Sequence, residues 1–140
     1  MPPPFEYQNP TLQFEKFLVA ARDHAGLATT NMAWNMVVGV LHVFRRRLTV
    51  EQVVRFAQVL PPVTRALFIE GWDPAPPPLP FADDEQLLRE VRAVRHEHNF
   101  APDHAIDAVA QALREQVDPA ALAQVLATLP AAARRYWLGR

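Results

Sequence analysis

The sequence predicts an all-α protein of eight helices, arranged as two pseudo-symmetric four-helix repeats packed into one globular domain. Three observations carry that prediction. Apolar residues recur at intervals of three and four along most of the 140 residues, the signature of helices with one buried face. No segment alternates convincingly with period two. Finally, the stretch Leu48 to Trp72, LTVEQVVRFAQVLPPVTRALFIEGW, returns as a fainter copy at Val117 to Trp137, VDPAALAQVLATLPAAARRYW, with a shared Leu-Pro landmark between two short helices.

Residues 1–11 are rich in proline and are expected to be extended, with Phe5 and Tyr7 as the anchors. The first repeat spans residues 12–72. Asn9 or Thr11 caps its first helix and Pro10 suits the first helical position. Phe14, Phe17, Leu18, Ala21 and Ala25 form one stripe, and Gly26 ends the helix as a left-handed residue. Thr29 or Thr30 caps the second helix, where Ala33, Met36, Val37, Val40, Leu41 and Phe44 share a face that Trp34 and Val38 widen. A helix apolar nearly all round is central in its domain or covered by a partner. Thr49 and Gln52 have capping-box spacing and open a third helix through Val53, Phe56, Ala57 and Leu60. Pro61 and Pro62 break it, since proline lacks the amide hydrogen and its ring clashes with the preceding turn. Pro62 opens the fourth helix, which Gly71 closes before Trp72.

Asp73 to Asp83, DPAPPPLPFAD, places five prolines in eleven residues. It reads as a polyproline-like linker, a stiff strap between the halves. Residues 84–140 form the second repeat. Asp83 with Gln86 caps a helix whose stripe is Leu87, Leu88, Val91 and Val94. Pro102 starts a helix through Ala105, Ile106, Val109 and Leu113, and Asp118 with Pro119 opens the next. Equivalent residues lie 73 apart from Phe14 to Leu27, and 69 apart from Phe44 onward, pairing Arg45 with Arg114, Leu60 with Leu129, Pro61 with Pro130, Arg65 with Arg134 and Phe68 with Trp137. The difference is about one helical turn, a deletion that preserves the buried face. Each half alone would be marginal in size, so the two are expected to share a core.

Composition narrows the chemistry. There is no cysteine and no serine, and Lys16 is the one lysine, which removes thiolate chemistry, serine nucleophiles and a P-loop. The Arg, Ala and Pro bias is that of a GC-rich bacterial genome. Residues 1–72 carry seven Lys/Arg against five Asp/Glu, and residues 73–140 seven against ten. Neither half has the surplus of positive charge that phosphate contacts require, so nucleic acid is not expected. No apolar run is long enough to span a bilayer, and the N-terminus lacks a signal-peptide layout, so a cytoplasmic address is expected.

The pattern also resembles a family of bacterial proteins described as domain of unknown function 2267. The residues that carry the likeness are Phe14 and Leu18, Gly26, the run Val40, Leu41, Phe44, Arg45, Arg47, Leu48 and Thr49, then Phe56, Ala57, Leu60, Pro61 and Arg65, and finally Gly71, Trp72 and Pro74. The resemblance covers about residues 12–140 and implies a duplicated helical fold with no established activity.

His96, His98 and His104 lie close in sequence to Glu97, Asp103 and Asp107, but His96 and His98 are two apart and point to different sides of a helix. No metal site and no cofactor are expected. A helix-turn-helix reading of the third and fourth helices fails on Pro61-Pro62 and on the apolar character of VTRALFIEG. Trp34, Trp72 and the run Arg45, Arg46, Arg47 are the candidate partner-binding residues, because Trp is enriched at interface hot spots and an arginine cluster recognises acidic groups. The expected function is a non-enzymatic protein-protein interaction module or assembly subunit, binding another protein or itself. Its surface would be a groove between the repeats or the exposed side of the second helix. The alternative is a small-molecule or metal-binding protein, catalytic or not, that uses the crevice between the repeats.

Overall fold

A computed structural model describes residues 1–139. Among the described residues the chain forms nine helices and no strand: α1 (Phe5–Gln8), α2 (Pro10–Ala25), α3 (Thr30–Arg45), α4 (Val50–Ala57), α5 (Pro62–Ile69), α6 (Asp84–Ala93), α7 (Ala105–Arg114), α8 (Pro119–Ala127) and α9 (Ala131–Leu138). None of them is long and apolar enough to cross a membrane; α2 and α3 together pass by length and composition only as a pair bent by 91°.

Local chemistry sets most boundaries. Thr29, rather than Thr30, caps α3 by accepting from the Met32 amide. Both bonds of the Thr49–Gln52 capping box form, and the Asp83 and Asp118 carboxylates cap α6 and α8. Each such cap satisfies one of the four amides that a helix start leaves without a partner. Gly26 ends α2 at φ 72°, its amide donating to the Arg22 and Asp23 carbonyls, a backbone conformation in which a Cβ would be strained. Pro61 and Pro130 sit between helices in extended conformations and divide α4 from α5 and α8 from α9.

Three boundaries depart from expectation. The N-terminal segment is not wholly extended: Pro4, whose fixed φ suits a position before a helix, accepts from the Tyr7 and Gln8 amides and starts the turn α1. Helix α6 stops at Ala93, with Val94 extended and Arg95 at φ 53°, so Val94 leaves the stripe assigned to it. Helix α7 begins at Ala105, because Pro102 is used in a turn whose carbonyl accepts the Ala105 amide.

Helix α3 is the axis of the molecule. Met36 through Leu41 and Val43 through Arg45 are buried, and α2, α5, α6 and α7 pack around it. Its wide apolar surface is therefore largely covered by the protein's own helices. The remaining contacts interlock the halves: α2 lies on α7, α6 on α3, and α4 on α8. Ring contacts around Phe44 close the other end of the core. Phe56 lies 4.9 Å from it, Tyr136 stacks at 5.1 Å and Trp137 meets it edge-on at 5.3 Å.

Gly39 is the one glycine here without a positive φ, and it has a packing role. A Cβ there would stand 2.6 Å from the Val91 carbonyl oxygen and 3.3 Å from the Asn99 amide nitrogen. Alanine would gain about 1 kcal/mol of helix propensity, but backbone oxygen cannot yield as a side-chain tip does, so α6 must move off α3. Gly39→Ala is expected to destabilise the protein by about 1–3 kcal/mol, the usual range for overpacking. Urea unfolding measures this, and an unchanged or raised midpoint would refute it.

Candidate functional site

The arginines assigned to partner binding divide in two. Arg45 and Arg47 are buried, at 8% and 6% exposure, and their side chains are bonded within the fold. Arg45 donates through Nη1 to the carbonyls of Phe68 and Glu70, both at 2.8 Å, which are C-terminal groups of α5 without helical partners. Arg114 makes the corresponding bond to Trp137 at the end of α9. Likewise Arg65 donates to the Ala57 and Leu60 carbonyls, and Arg134 to that of Leu129. The same arginine-to-carbonyl bonds thus recur at the spacing of 69 read from the sequence.

Arg47 forms a two-pronged ion pair with Glu90, Nη1 to Oε1 at 2.8 Å and Nη2 to Oε2 at 2.6 Å. These bonds hold the Glu90 carboxyl below its ordinary range against the opposing effect of burial. Arg46 keeps its side chain half in solvent, with Nη1 3.6 Å from Glu90. It alone of the three faces outward.

Trp34 and Trp72 are half-buried against the core. Trp34 sets its ring edge-on to Phe14 at a centroid distance of 5.8 Å. The histidines scatter. His104 Nε2 bonds the His24 carbonyl at 3.0 Å and His24 Nε2 lies 2.7 Å from a Glu115 oxygen, while His96 and His98 are exposed. Among the described residues no group of three or more His, Asp or Glu side chains is placed to hold a metal ion.

What the helices do enclose is a crevice of about 410 Å³ where the end of the strap and the starts of α6 and α7 meet α9. Leu88, Ile106 and Ala132 are half-buried along it, and Leu87 and the Tyr136 ring stand behind them. Asp84, Asp103, Asp107, His104 and Arg135 supply its polar lining. Asp103 is paired with Arg92 at 2.9 Å, and the Tyr136 hydroxyl points away, donating to the Val40 carbonyl at 2.7 Å. The crevice lies within residues 81–136 and not between the halves. Between the halves α2 seats on α7 and α6 on α3.

Sequence reading also passes over Asn99, a buried residue that joins three segments. Its amide donates to the carbonyls of Val91 and Val94, both at 2.8 Å, and more weakly to Asn35, while its oxygen accepts from Ala101. It closes the C-terminal end of α6 where Arg95 turns the chain left-handed. An asparagine just after a helix, followed by apolar residues, is a recognisable sign of such a cap.

Comparison with curated proteins returns no match. A family model does match, over residues 14–136, which takes in α3, the Arg47–Glu90 pair, Asn99 and the lining of the crevice. The chain belongs to the family described as uncharacterized conserved protein (DUF2267).

Proposed function

We propose that this chain is a non-catalytic helical module that binds another protein, or a second copy of itself, through the crevice between α6, α7 and α9. The crevice carries the reading. Half-exposed Leu88 and Ile106 form an apolar floor, and side chains of both charge signs surround it, the layout of an anchoring pocket with a polar rim. The groups whose ionisation is most perturbed, Arg45, Glu90, His42 and Tyr136, are each engaged in bonds that hold the fold. Perturbed groups mark catalytic sites when they face a cleft; here their polar atoms face backbone carbonyls or, for Glu90, the Arg47 guanidinium. A cytoplasmic setting in a bacterial cell belongs to the same proposal and draws on the Arg, Ala and Pro bias.

Ala132→Trp tests it by filling the crevice from α9. Size-exclusion light scattering and crosslinking are expected to find a partner or a second copy attached at the crevice in the native protein. The variant should lose that attachment at least tenfold with its melting temperature unchanged. A strict monomer that retains nothing, or equal retention by the variant, would sink the reading. The volume also favours a second reading, a small-molecule site, since it falls in the range of about 300–1,000 Å³ typical of such pockets. A metabolite that raises the melting temperature of the native protein but not of Ala132→Trp would select it.

A further inference from the structure

The strap from Asp73 to Asp83 does more than connect. Every residue from Asp73 to Pro80 is exposed, and prolines hold five of those positions. Proline fixes its own φ and drives the residue before it to extended or polyproline conformations. Pro77 to Ala82 is accordingly free of helix, strand and bend. In a polyproline helix, with three residues per turn and a rise of about 3.1 Å per residue, Pro77 and Pro80 fall on one edge.

Hydrogen bonding makes this surface one-sided. Only Ala75 and Leu79 carry amides between Pro74 and Pro80, and both are occupied: Ala75 donates to the Asp73 carboxylate at 3.0 Å and Leu79 to the Arg46 carbonyl at 2.9 Å. No carbonyl from Pro74 to Pro80 accepts a bond among the described residues. The strap therefore presents acceptors and pyrrolidine rings and no donor. Its ends are clamped by half-buried Trp72 on one side and by Phe81, 6.2 Å from Phe44, on the other. Such an extended segment gives up little conformational entropy on binding. A connection needs reach; it does not need solvent-facing prolines one turn apart.

We propose that Pro74 to Pro80 is a preformed ligand for a proline-recognising domain, whose groove is lined with aromatic rings bearing N–H and O–H donors. The rings of Pro77 and Pro80 fill the spaces between those aromatics, and the strap carbonyls accept from their donors. Arg46, which holds Leu79 through its carbonyl, adds direction. Its guanidinium is half-exposed, so an acidic residue at the rim of the partner's groove fits this end. This surface is separate from the crevice and stands whether or not the crevice binds anything.

The test uses the full-length chain, labelled with nitrogen-15, and purified domains of the three groove types that take PxxP segments, SH3, WW and EVH1. Binding is expected with at least one of them, with amide shifts confined to Ala75, Leu79, Phe81 and their neighbours. Pro77→Ala/Pro80→Ala is expected to weaken it at least tenfold without changing the melting temperature. Arg46→Ala should weaken it severalfold, and Ala132→Trp should leave it intact, which separates this surface from the crevice. No binding by any of the three types at millimolar concentration overturns the proposal. So does equal binding by the double proline variant, or shifts centred on the crevice.

Discussion

Trp137→Ala is expected to unfold much of the population at temperatures where the native protein is stable. The indole has no exposed surface. It stacks on Phe56 at 5.5 Å, meets Phe44 edge-on at 5.3 Å and meets Tyr136 at 5.2 Å, so its removal deletes one wall of the aromatic cluster. Large aromatic-to-alanine changes in cores cost about 3–5 kcal/mol, a large share of the roughly 5–15 kcal/mol that holds an ordinary domain folded. Urea unfolding should show that loss, and one under about 1 kcal/mol would contradict the packing. Trp137→Phe isolates a second feature. The indole nitrogen is buried without a partner among the described residues, and an unmet donor costs about 1–3 kcal/mol. Phenylalanine loses volume but removes that donor, so its effect should be much the smaller. Trp72→Ala, at a half-buried position, should cost well under half as much as Trp137→Ala.

The contrast between those two tryptophans marks where sequence stops being informative. Caps, proline breaks and the Gly26 terminus depend on residues within four positions of one another, and all of them are legible in the chain itself. The burial of Arg45 and Arg47 is not, because the groups that neutralise or bond them, Phe68, Glu70 and Glu90, come from elements 23 to 43 residues away. Three consecutive arginines after an apolar helix look the same whether they face solvent or a neighbour's carbonyls. The spacing of 69 held a usable sign, since it paired Arg45 with Arg114 and Phe68 with Trp137 before either contact was visible. The position of the crevice within residues 81–136 is not legible for a related reason. Sequence sets the two halves side by side, but only packing reveals that α2 seats directly on α7.

Glu90→Ala should rival Trp137→Ala in severity, for an electrostatic reason. The Arg47 side chain is 2% exposed and that of Glu90 16%, so the variant leaves a guanidinium charge in the interior. Its Nη1 retains the Val43 carbonyl at 3.1 Å, but Nε is already without a partner among the described residues. Breaking a buried pair from one side costs about 3–5 kcal/mol, whereas replacing both members by apolar residues is often neutral. Arg47→Met/Glu90→Leu is therefore expected to be more stable than Glu90→Ala; the reverse order would mean that the pair is strongly stabilising in its own right. Acid should act through the same residue. Because the folded carboxyl titrates below its unfolded value, its contribution is complete above about pH 4.3 and is lost as pH falls through the lower folded value. His42 adds an earlier step of the same sign. Burial lowers its pKa from 6.5, with Nε2 donating to the Leu67 carbonyl at 2.8 Å. The unfolded chain thus takes up a proton first as pH drops below about 6.5. Melting temperatures followed from pH 8 to pH 3 should descend in two stages. His42→Gln should remove the upper stage, and Glu90→Gln should remove the lower one while reducing stability at neutral pH. A profile that rises toward acid would contradict both assignments.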